Sequence, residues 1–573
     1  MNKILSRLVL FFLIILLTTG CSKTQGAAAV TKAEIVEDGK VVMYDKTAVE
    51  SCLSAMTLED KVGQMVVGFF NGPTLSPELK ERIAKYRLGG VIIYDISGNI
   101  IDTQQVATLN EALQLYAKTV GVQPLFIGID QEGGLVNRLQ TGVTVFPGNM
   151  AIGATGNADY AFQVADITAR ELKILGINMN FAPVLDVNSN PQNPIIGVRS
   201  FGADPAEVAR LGAAMLPAYR NNQVICVVKH FPGHGDTSMD SHSEMPRIPY
   251  SIDRLRAVEL VPFVKSIEAG APAIMTAHVS VEAVTGNDLP MTLSSKGIGF
   301  LRNEMGFHGL IVSDSLTMGA IVNDWSIEEA SVMAVEAGVD LLVFGADRGH
   351  VPQEQERAIE AIISAVQSGR IPASRIDESV RRILTIKNEN GLMSNALPLM
   401  NRLSELGSKE HQICADNIAL ESLTWLGQEK PSGLQSLEST IILWPEKQGE
   451  AALQLAKLLP TTEIINLSIN ERLVPGNKLA EHLKQAHRII IASYDLDRNT
   501  EWRDFILSVL KTIGSDKITV VAMRSPYDIQ HLPGAVNYLS VYDDGPSSIK
   551  ALADFIMGVA VPKGVSPVLR QTN

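Results

Sequence analysis

A TIM-type (β/α)8 barrel followed by a smaller α/β sandwich domain is the fold class that the sequence predicts. Three observations carry that prediction. Eight short apolar runs alternate with amphipathic helical stretches over roughly 300 residues. Several of those runs end in an acid or a base, at Asp130, Asp186, Lys229-His230, His278 and Asp314. And the chain, at 573 residues, is too long for one ordinary domain and resumes a strand–helix alternation after a polar break.

The first helix opens at Thr57, a residue suited to an N-cap, with Asp60 at the third position. The runs at 65–70, 90–94, 124–130, 178–187, 224–230, 273–279, 309–314 and 341–345 read as buried strands. Helical spacing fills the gaps, as at 159–175, 205–221 and 253–269, and 351–391 reads as the closing helices. One strand ending in a charge would mean little. Several on one barrel face are hard to explain by packing, because that face builds the active site of such barrels.

Residues 46–394 are therefore expected to form the barrel and 395–410 a linker. Residues 411–573 make the second domain, with a helix at 411–426 and strands at 440–444, 488–494, 518–523 and 536–541. Helices at 451–459 and 548–557 separate them. No glycine-rich phosphate loop is present, so nothing points to a nucleotide.

Composition narrows the class. Hydrophobic residues make up 46% and charged ones 19%, which suits large cores. The net charge of -13 argues against nucleic acid as a partner. Four cysteines, Cys21, Cys52, Cys226 and Cys414, show no CxxC or metal-like spacing. Cys226 lies in a strand and reads as a core residue.

Lys3 and Arg7 precede an apolar run at 8–17, the pattern of a signal peptide. The run is shorter than the ~20 residues a membrane span needs. It ends in Leu17-Thr18-Thr19-Gly20-Cys21, which resembles the cleavage site of bacterial lipoproteins, although Thr18 replaces the usual aliphatic residue. Residues 1–21 are read as a lipoprotein-type signal, with Cys21 the lipidation site, and 22–45 as a tether. A lipid-anchored, extracytoplasmic protein is expected, ordinary secretion being the alternative.

The richest stretch is KHFPGHGDTSMDSH at 229–242. It holds one lysine, three histidines, two aspartates and three hydroxyl residues among two glycines and a proline. It continues the fifth strand run, so Lys229 and His230 stand at a strand end and the rest forms the loop beyond. A solvent loop has no need of three histidines.

This stretch resembles the β-N-acetylglucosaminidase branch of glycoside hydrolase family 3. So do Gly128-Ile129-Asp130-Gln131-Glu132-Gly133-Gly134, Phe146-Pro147-Gly148-Asn149-Met150 and Asn193-Pro194-Ile195-Ile196-Gly197-Val198-Arg199-Ser200-Phe201. Met275-Thr276-Ala277-His278, Val312-Ser313-Asp314 and, less specifically, Arg524-Ser525-Pro526-Tyr527-Asp528 continue the match. The resemblance implies a retaining glycosidase in which Asp314 is the nucleophile that forms a glycosyl ester. It implies that Asp240 and His242 form an aspartate–histidine acid/base pair, where most retaining enzymes use a second carboxyl. An imidazole can give a proton to a leaving oxygen and then take one from water. By position, Asp130 and Arg138 would hold sugar hydroxyls, and Arg199, Lys229 and His230 would surround the same ring. Structural salt bridges are the alternative for these five. His234 and His278 would orient neighbouring groups, and Glu132 would brace the glycine turn.

The implied function is removal of terminal β-linked N-acetylglucosamine from muropeptides or chito-oligosaccharides, with no cofactor. A β-glucosidase is one rival, and Asp240 and His242 argue against it, because that branch takes its acid/base carboxyl from the second domain. A phosphorylase using the same site is another, since an imidazole repels phosphate less than a carboxylate does. A non-catalytic sugar-binding lipoprotein would be expected to lack Asp314 or His242.

Overall fold

The computed structural model describes residues 33–37, 40–44, 46–347, 349–427, 439–468, 476–534 and 536–569. The expected signal segment and Cys21 lie outside them. The chain divides into two units, Met1–Ala48 and Val49–Asn573. In the first, Ala33–Glu37 pairs antiparallel with Lys40–Tyr44, inside the stretch read as a tether.

The second unit contains the closed eight-stranded parallel barrel. Its strands are β1 (Val66–Gly68), β2 (Gly90–Ile92), β3 (Phe126–Ile129), β4 (Met179–Asn180), β5 (Ile225–Phe231), β6 (Ala273–Thr276), β7 (Leu310–Ser315) and β8 (Leu341–Val343). Each pairs with the next in chain order, and β8 closes on β1 through Leu342↔Val66 and Val343↔Val67. Each strand falls within or close to an expected run. Every residue of these strands is buried except Asp314, which is partly exposed. Near-continuous apolar runs follow from that, because both faces of a parallel sheet are covered. β4 is much shorter than the 178–187 run. Pro183 has no N–H to donate to a ladder, and only a single bridge, Val184↔Lys229, continues the pairing.

The first helix, Leu58–Gln64, carries a reciprocal cap. Asp60 N–H donates to Thr57 Oγ1 at 3.1 Å and Thr57 N–H donates to Asp60 Oδ2 at 3.0 Å. Two helices, Ile252–Ala257 and Val261–Glu268, replace the single helix expected over 253–269. Pro262 stands in the first turn of the second, where its missing N–H costs nothing.

The second sheet has six strands: β9 (Thr424–Trp425), β10 (Thr440–Pro445), β11 (Glu463–Leu467), β12 (Arg488–Ser493), β13 (Ile518–Ala522) and β14 (Asn537–Ser540). Their order is β9-β14-β13-β12-β10-β11, with only β9 antiparallel to its neighbour. Apolar clusters around Trp444 and around Trp502 line it. Two edge strands depart from expectation. The helix read over 411–426 is Lys409–Ser422, and β9 follows it because Trp425 pairs with Leu539 and packs on Phe555. β11 has no long apolar run, since as an edge strand it is only partly covered.

The stretch read as a linker is fastened down. Leu399 N–H donates to Ile174 O, and Gly407 N–H donates to the Glu171 carboxylate. Glu171 also accepts from Thr144 N–H, Thr144 Oγ1 and His411 Nδ1, so one buried carboxylate ties barrel, linker and second domain. Tyr542 joins Met150, Ala151, Ala154 and Val198 in an apolar cluster across the same junction. Among the described residues no helix is long and apolar enough to cross a membrane. Cys52, Cys226 and Cys414 are unpaired, and burial pushes the Cys226 thiol up to about 12.

At the opposite side of β3 from its charged end, Lys387 is fully buried over the Phe126 ring. Its ammonium donates to Gln64 Oε1 at 2.7 Å and Gly89 O at 3.0 Å. Burial pulls it down to about 7. The unfolded chain keeps that proton to about 10.4, so between those values it binds more protons than the native state. Stability from this residue therefore rises with pH across that window, by at most about 1.4 kcal/mol per unit. Lys387→Met should flatten the rise, measured as the wild-type-minus-variant difference in urea unfolding between pH 6.5 and pH 9.5 (about the window above). Parallel curves would mean that Lys387 is not a buried titrating amine.

Candidate active site

Asp130 follows β3 directly, and a short hairpin, Gln131–Gly133 with Val136–Asn137, returns the chain to Arg138. Lys229 comes from the charged end of β5 and is buried. Its ammonium sits 2.7 Å from Asp130 Oδ1 and 2.8 Å from Glu132 Oε1. Arg199, from the single turn Gly197–Arg199, meets Glu132 through two parallel bonds, Nε to Oε2 at 2.9 Å and Nη2 to Oε1 at 2.8 Å. Its remaining nitrogen donates to Ile195 O. Three segments far apart in sequence thus share one buried carboxylate. Burial alone would raise Glu132, but the two cations hold it far below the usual carboxylate range. Lys229 in turn is raised, because Asp130 and Glu132 outweigh its desolvation.

Glu132 therefore does not brace the glycine turn as expected. Gly134 N–H donates to Phe146 O and Asn137 Nδ2 to Gly134 O instead. Arg199 has all three nitrogens engaged within the protein.

Asp186 organises a second network. It lies beyond β4, buried, and accepts from His230 Nδ1 at 2.7 Å and from the His234 backbone N–H at 2.7 Å. Burial would raise this carboxyl, yet His230 and His234 lower it. With Nδ1 donating to Asp186, Nε2 is the ring atom His230 can offer elsewhere. The Lys229–His230 peptide is cis. The Thr237 hydroxyl donates to His234 O, so His234 Nδ1 donates to Thr237 Oγ1 at 2.7 Å and Nε2 accepts from Ser241 Oγ at 3.0 Å. Burial lowers His234 to about 4, which suits this neutral form.

Ser241 stands between Asp240 and His242, so His234 anchors the loop that carries them. Asp240 Oδ1 accepts from both His242 N–H and His242 Nδ1, each at 2.8 Å. The proton on Nδ1 is thereby fixed, and Nε2 is left to exchange one. The His242 ring is 54% exposed, so the pair works at an open rim. The loop also rests on the segment after β7. Gly319 N–H donates to His242 O, Ala320 N–H to Ser241 O and Asn323 Nδ2 to Ser243 O. A side chain at Gly319 would put Cβ 2.6 Å from His242 O, which is why glycine stands there.

Asp314 is the fifth residue of β7 and the one residue of that strand that is not buried. Its Oδ1 accepts from Ser315 N–H at 2.8 Å, and it sits in the field of His230, His278 and Lys229. Burial would raise Asp314, but those neighbours hold it low, so it is ionised. His278 donates from Nε2 to Ser315 O at 2.8 Å and accepts at Nδ1 from Thr292. Burial lowers His278, so a neutral ring steadies the strand end that carries Asp314.

All the expected site residues within the described chain thus lie at or beyond the same ends of the barrel strands. Asp130, Arg199, Lys229 and His230 fall into the two networks, and Arg138 lies at their edge, 3.7 Å from Asp130; Asp240 and His242 form a separate pair on the anchored loop. Two groups escaped the sequence reading. Tyr94 follows β2 and Asp347 follows β8, and the strand-end rule that found Asp130 and Asp314 applies to both. The second domain also reaches this face: Asn188 Nδ2 donates to Tyr527 Oη at 3.0 Å, two residues beyond Asp186. Among the described residues no cluster of histidine, cysteine or carboxylate side chains could hold a metal ion.

An ionised carboxylate at a strand end, an Asp–His pair on a braced loop and a cation-lined floor can together form and break an ester at a polar, hydroxyl-rich substrate. Residues 57–386 match the model of the glycosyl hydrolase family 3 N-terminal domain. The chain is 32% identical over 552 residues to β-hexosaminidase A of Pseudoalteromonas piscicida, covering 86% of this chain and 91% of that one. It is 30% identical to β-hexosaminidase LpqI of Mycobacterium tuberculosis, over 65% and 92% of the two chains. The structure of a family 3 β-N-acetylglucosaminidase from Paenibacillus sp. superposes with a TM-score of 0.81 at 35% identity, covering 90% of this chain and 99% of that one.

Glu132→Gln would leave Lys229 and Arg199 facing an uncharged partner in a buried site. A loss of about 3–5 kcal/mol in unfolding free energy is expected, measured by denaturant titration. Glu132 titrates lower folded than unfolded. Its stabilisation is complete above about 4.3 and drains away as pH falls below that value, so the variant should also be less acid-sensitive than wild type. A loss under about 1 kcal/mol would mean the cations do not depend on Glu132.

Proposed function

The chain belongs to glycosyl hydrolase family 3, and from that premise we propose that it is a retaining, exo-acting β-N-acetylhexosaminidase that removes terminal β-linked N-acetylglucosamine from muropeptides or chito-oligosaccharides. The observation that carries this reading is the Asp240–His242 pair, hydrogen-bonded into one unit on a loop that docks on the segment following Asp314. The names of the relatives support the choice of sugar.

In the first step the Asp314 carboxylate attacks the anomeric carbon as the glycosidic bond breaks. An ester to the sugar forms, and His242 Nε2–H gives its proton to the departing oxygen. In the second step the now basic Nε2 takes a proton from water, which attacks the same carbon and frees Asp314. Asp240 keeps Nδ1 protonated in both steps, so only Nε2 exchanges. In this reading Lys229 and His230 Nε2 bond hydroxyls of the ring, and Asp130 accepts from ring hydroxyls. Asp130 and Glu132 keep Lys229 charged, and the Arg199 contact holds Glu132 in place.

The N-terminal residues support an extracytoplasmic protein anchored by lipid on Cys21. A single acyl chain holds only marginally, so stable attachment needs more than one. Cys21→Ser should move the protein from the membrane fraction to the medium. Wild type found wholly in the medium would sink the anchor.

Asp314→Ala should cost several orders of magnitude in turnover and abolish labelling by a slowed fluorosugar at that peptide. The acid/base role has a sharper test, a leaving-group series on kcat/KM. His242→Ala should lose ~100- to 10,000-fold on natural disaccharides and far less on dinitrophenyl glycosides, which need little protonation. Asp240→Ala should show the same pattern more mildly. Equal losses for good and poor leaving groups would reject His242 as the acid. Running the assay with and without phosphate tells hydrolysis from phosphorolysis.

A further inference from the structure

Tyr94 lies two residues beyond β2, and its hydroxyl stands in the field of Asp130, Arg138, Asp347 and Asp314. The Arg138 guanidinium lies over its ring at 5.3 Å from the centroid. Arg138 reaches no close partner: Asp130 is 3.7 Å away, Asp95 is 3.8 Å away, and the buried Nε makes no hydrogen bond among the described residues. Tyr94 and Arg138 thus form a stacked pair, and among the described residues the Arg138 guanidinium makes only these long ion pairs.

Asp347 comes from the loop after β8 and is held from one side only. Ser315 Oγ donates to its Oδ2 at 2.8 Å and Thr317 Oγ1 at 2.6 Å. Ser315 is the residue whose N–H holds Asp314, so the two carboxylates are bridged through one serine. Gly345 lets them approach, since a Cβ there would lie 2.6 Å from Ser315 Oγ and 3.0 Å from Asp347 Oδ2. The second oxygen, Oδ1, makes no hydrogen bond among the described residues. Two hydroxyls committed to fixing one oxygen are more than a surface carboxylate needs. They aim the other.

We propose that Tyr94, beside Asp130, and Asp347, beside Asp314, add a second set of polar groups to the sugar site and read hydroxyls of the terminal sugar. A carboxylate only accepts, so Asp347 Oδ1 takes a hydroxyl hydrogen, and the Tyr94 phenol donates to or accepts from a neighbouring hydroxyl. Together they make the site reject a sugar that lacks or blocks the hydroxyl they contact. This inference deepens the N-acetylglucosaminidase reading and rests on it.

The test is a set of nitrophenyl β-N-acetylglucosaminides: the parent and its 3-, 4- and 6-deoxy analogues, assayed with wild type, Tyr94→Phe and Asp347→Asn. On the parent, Asp347→Asn should lower kcat/KM by about tenfold to a hundredfold and Tyr94→Phe by about two- to tenfold, as expected for a charged and a neutral hydrogen bond. On one deoxy analogue the variant and wild type should become equal, because the contact is already gone. That convergence separates substrate contact from bracing of Ser315 and Thr317, which would hurt every analogue alike. Thermal melting of each variant checks the fold, and Tyr94→Phe, which removes one oxygen, carries the test if Asp347→Asn unfolds. Equal losses across the series, or no loss on the parent, would overturn the proposal. If wild type fails to cleave the parent N-acetylglucosaminide, the activity reading is at fault, and the same deoxy series built on whichever glycoside it does cleave decides the role of Tyr94 and Asp347.

Discussion

The site depends on one buried carboxylate. Glu132 sits where three segments meet: the hairpin after β3, the turn bearing Arg199, and the end of β5. Two cations and one anion removed from water are costly unless each finds a partner in good geometry. Here the bidentate Arg199 contact and the Lys229 contact satisfy Glu132, and Asp130 takes the remaining face of Lys229. The result is a rigid, charge-balanced floor. Its stiffness explains how Lys229 can present one ammonium to both a structural and a candidate binding carboxylate.

Above this floor the structure grades from buried to exposed. Asp186 fixes His230 and the start of the next loop, His234 passes the constraint to Ser241, and only then does the chain reach the Asp240–His242 pair at the rim. An acid/base group has to meet both a leaving oxygen and incoming water. Exposure of His242 serves that need, while the buried hydroxyl and imidazole beneath it limit how far the loop can wander. Backbone bonds to Gly319 and Ala320 tie the loop to the stretch beyond Asp314, so the two candidate catalytic elements are positioned by each other.

The second domain reaches the same region without lending any of the expected catalytic groups. Tyr527 bonds Asn188, and Tyr542 packs into the cluster beside the Arg199 turn. It holds the loops beyond β4 that carry Asp186 and Arg199. That is a structural role consistent with a site whose candidate acid/base pair comes from the barrel itself.

The eight barrel strands, their order and their charged ends were legible in the sequence, because apolar periodicity and strand length are local properties. The Asp240–His242 pair was legible through the family resemblance of the stretch that holds it, and two residues apart on a turn the side chains meet without help from the rest of the chain. What only the tertiary structure decided is which charges neutralise which. Glu132, Arg199 and Lys229 are far apart in sequence, and nothing local says that Arg199 spends its nitrogens on Glu132 or that Glu132 leaves the glycine turn to backbone bonds. The edge strands β9 and β11 were missed for a related reason, since an edge is defined by its neighbour and not by its own pattern. Tyr94 and Asp347 belong to the same class. Each is an ordinary residue after an ordinary strand until barrel closure sets β8 beside β1 and brings both ends to the ring of groups around Asp314.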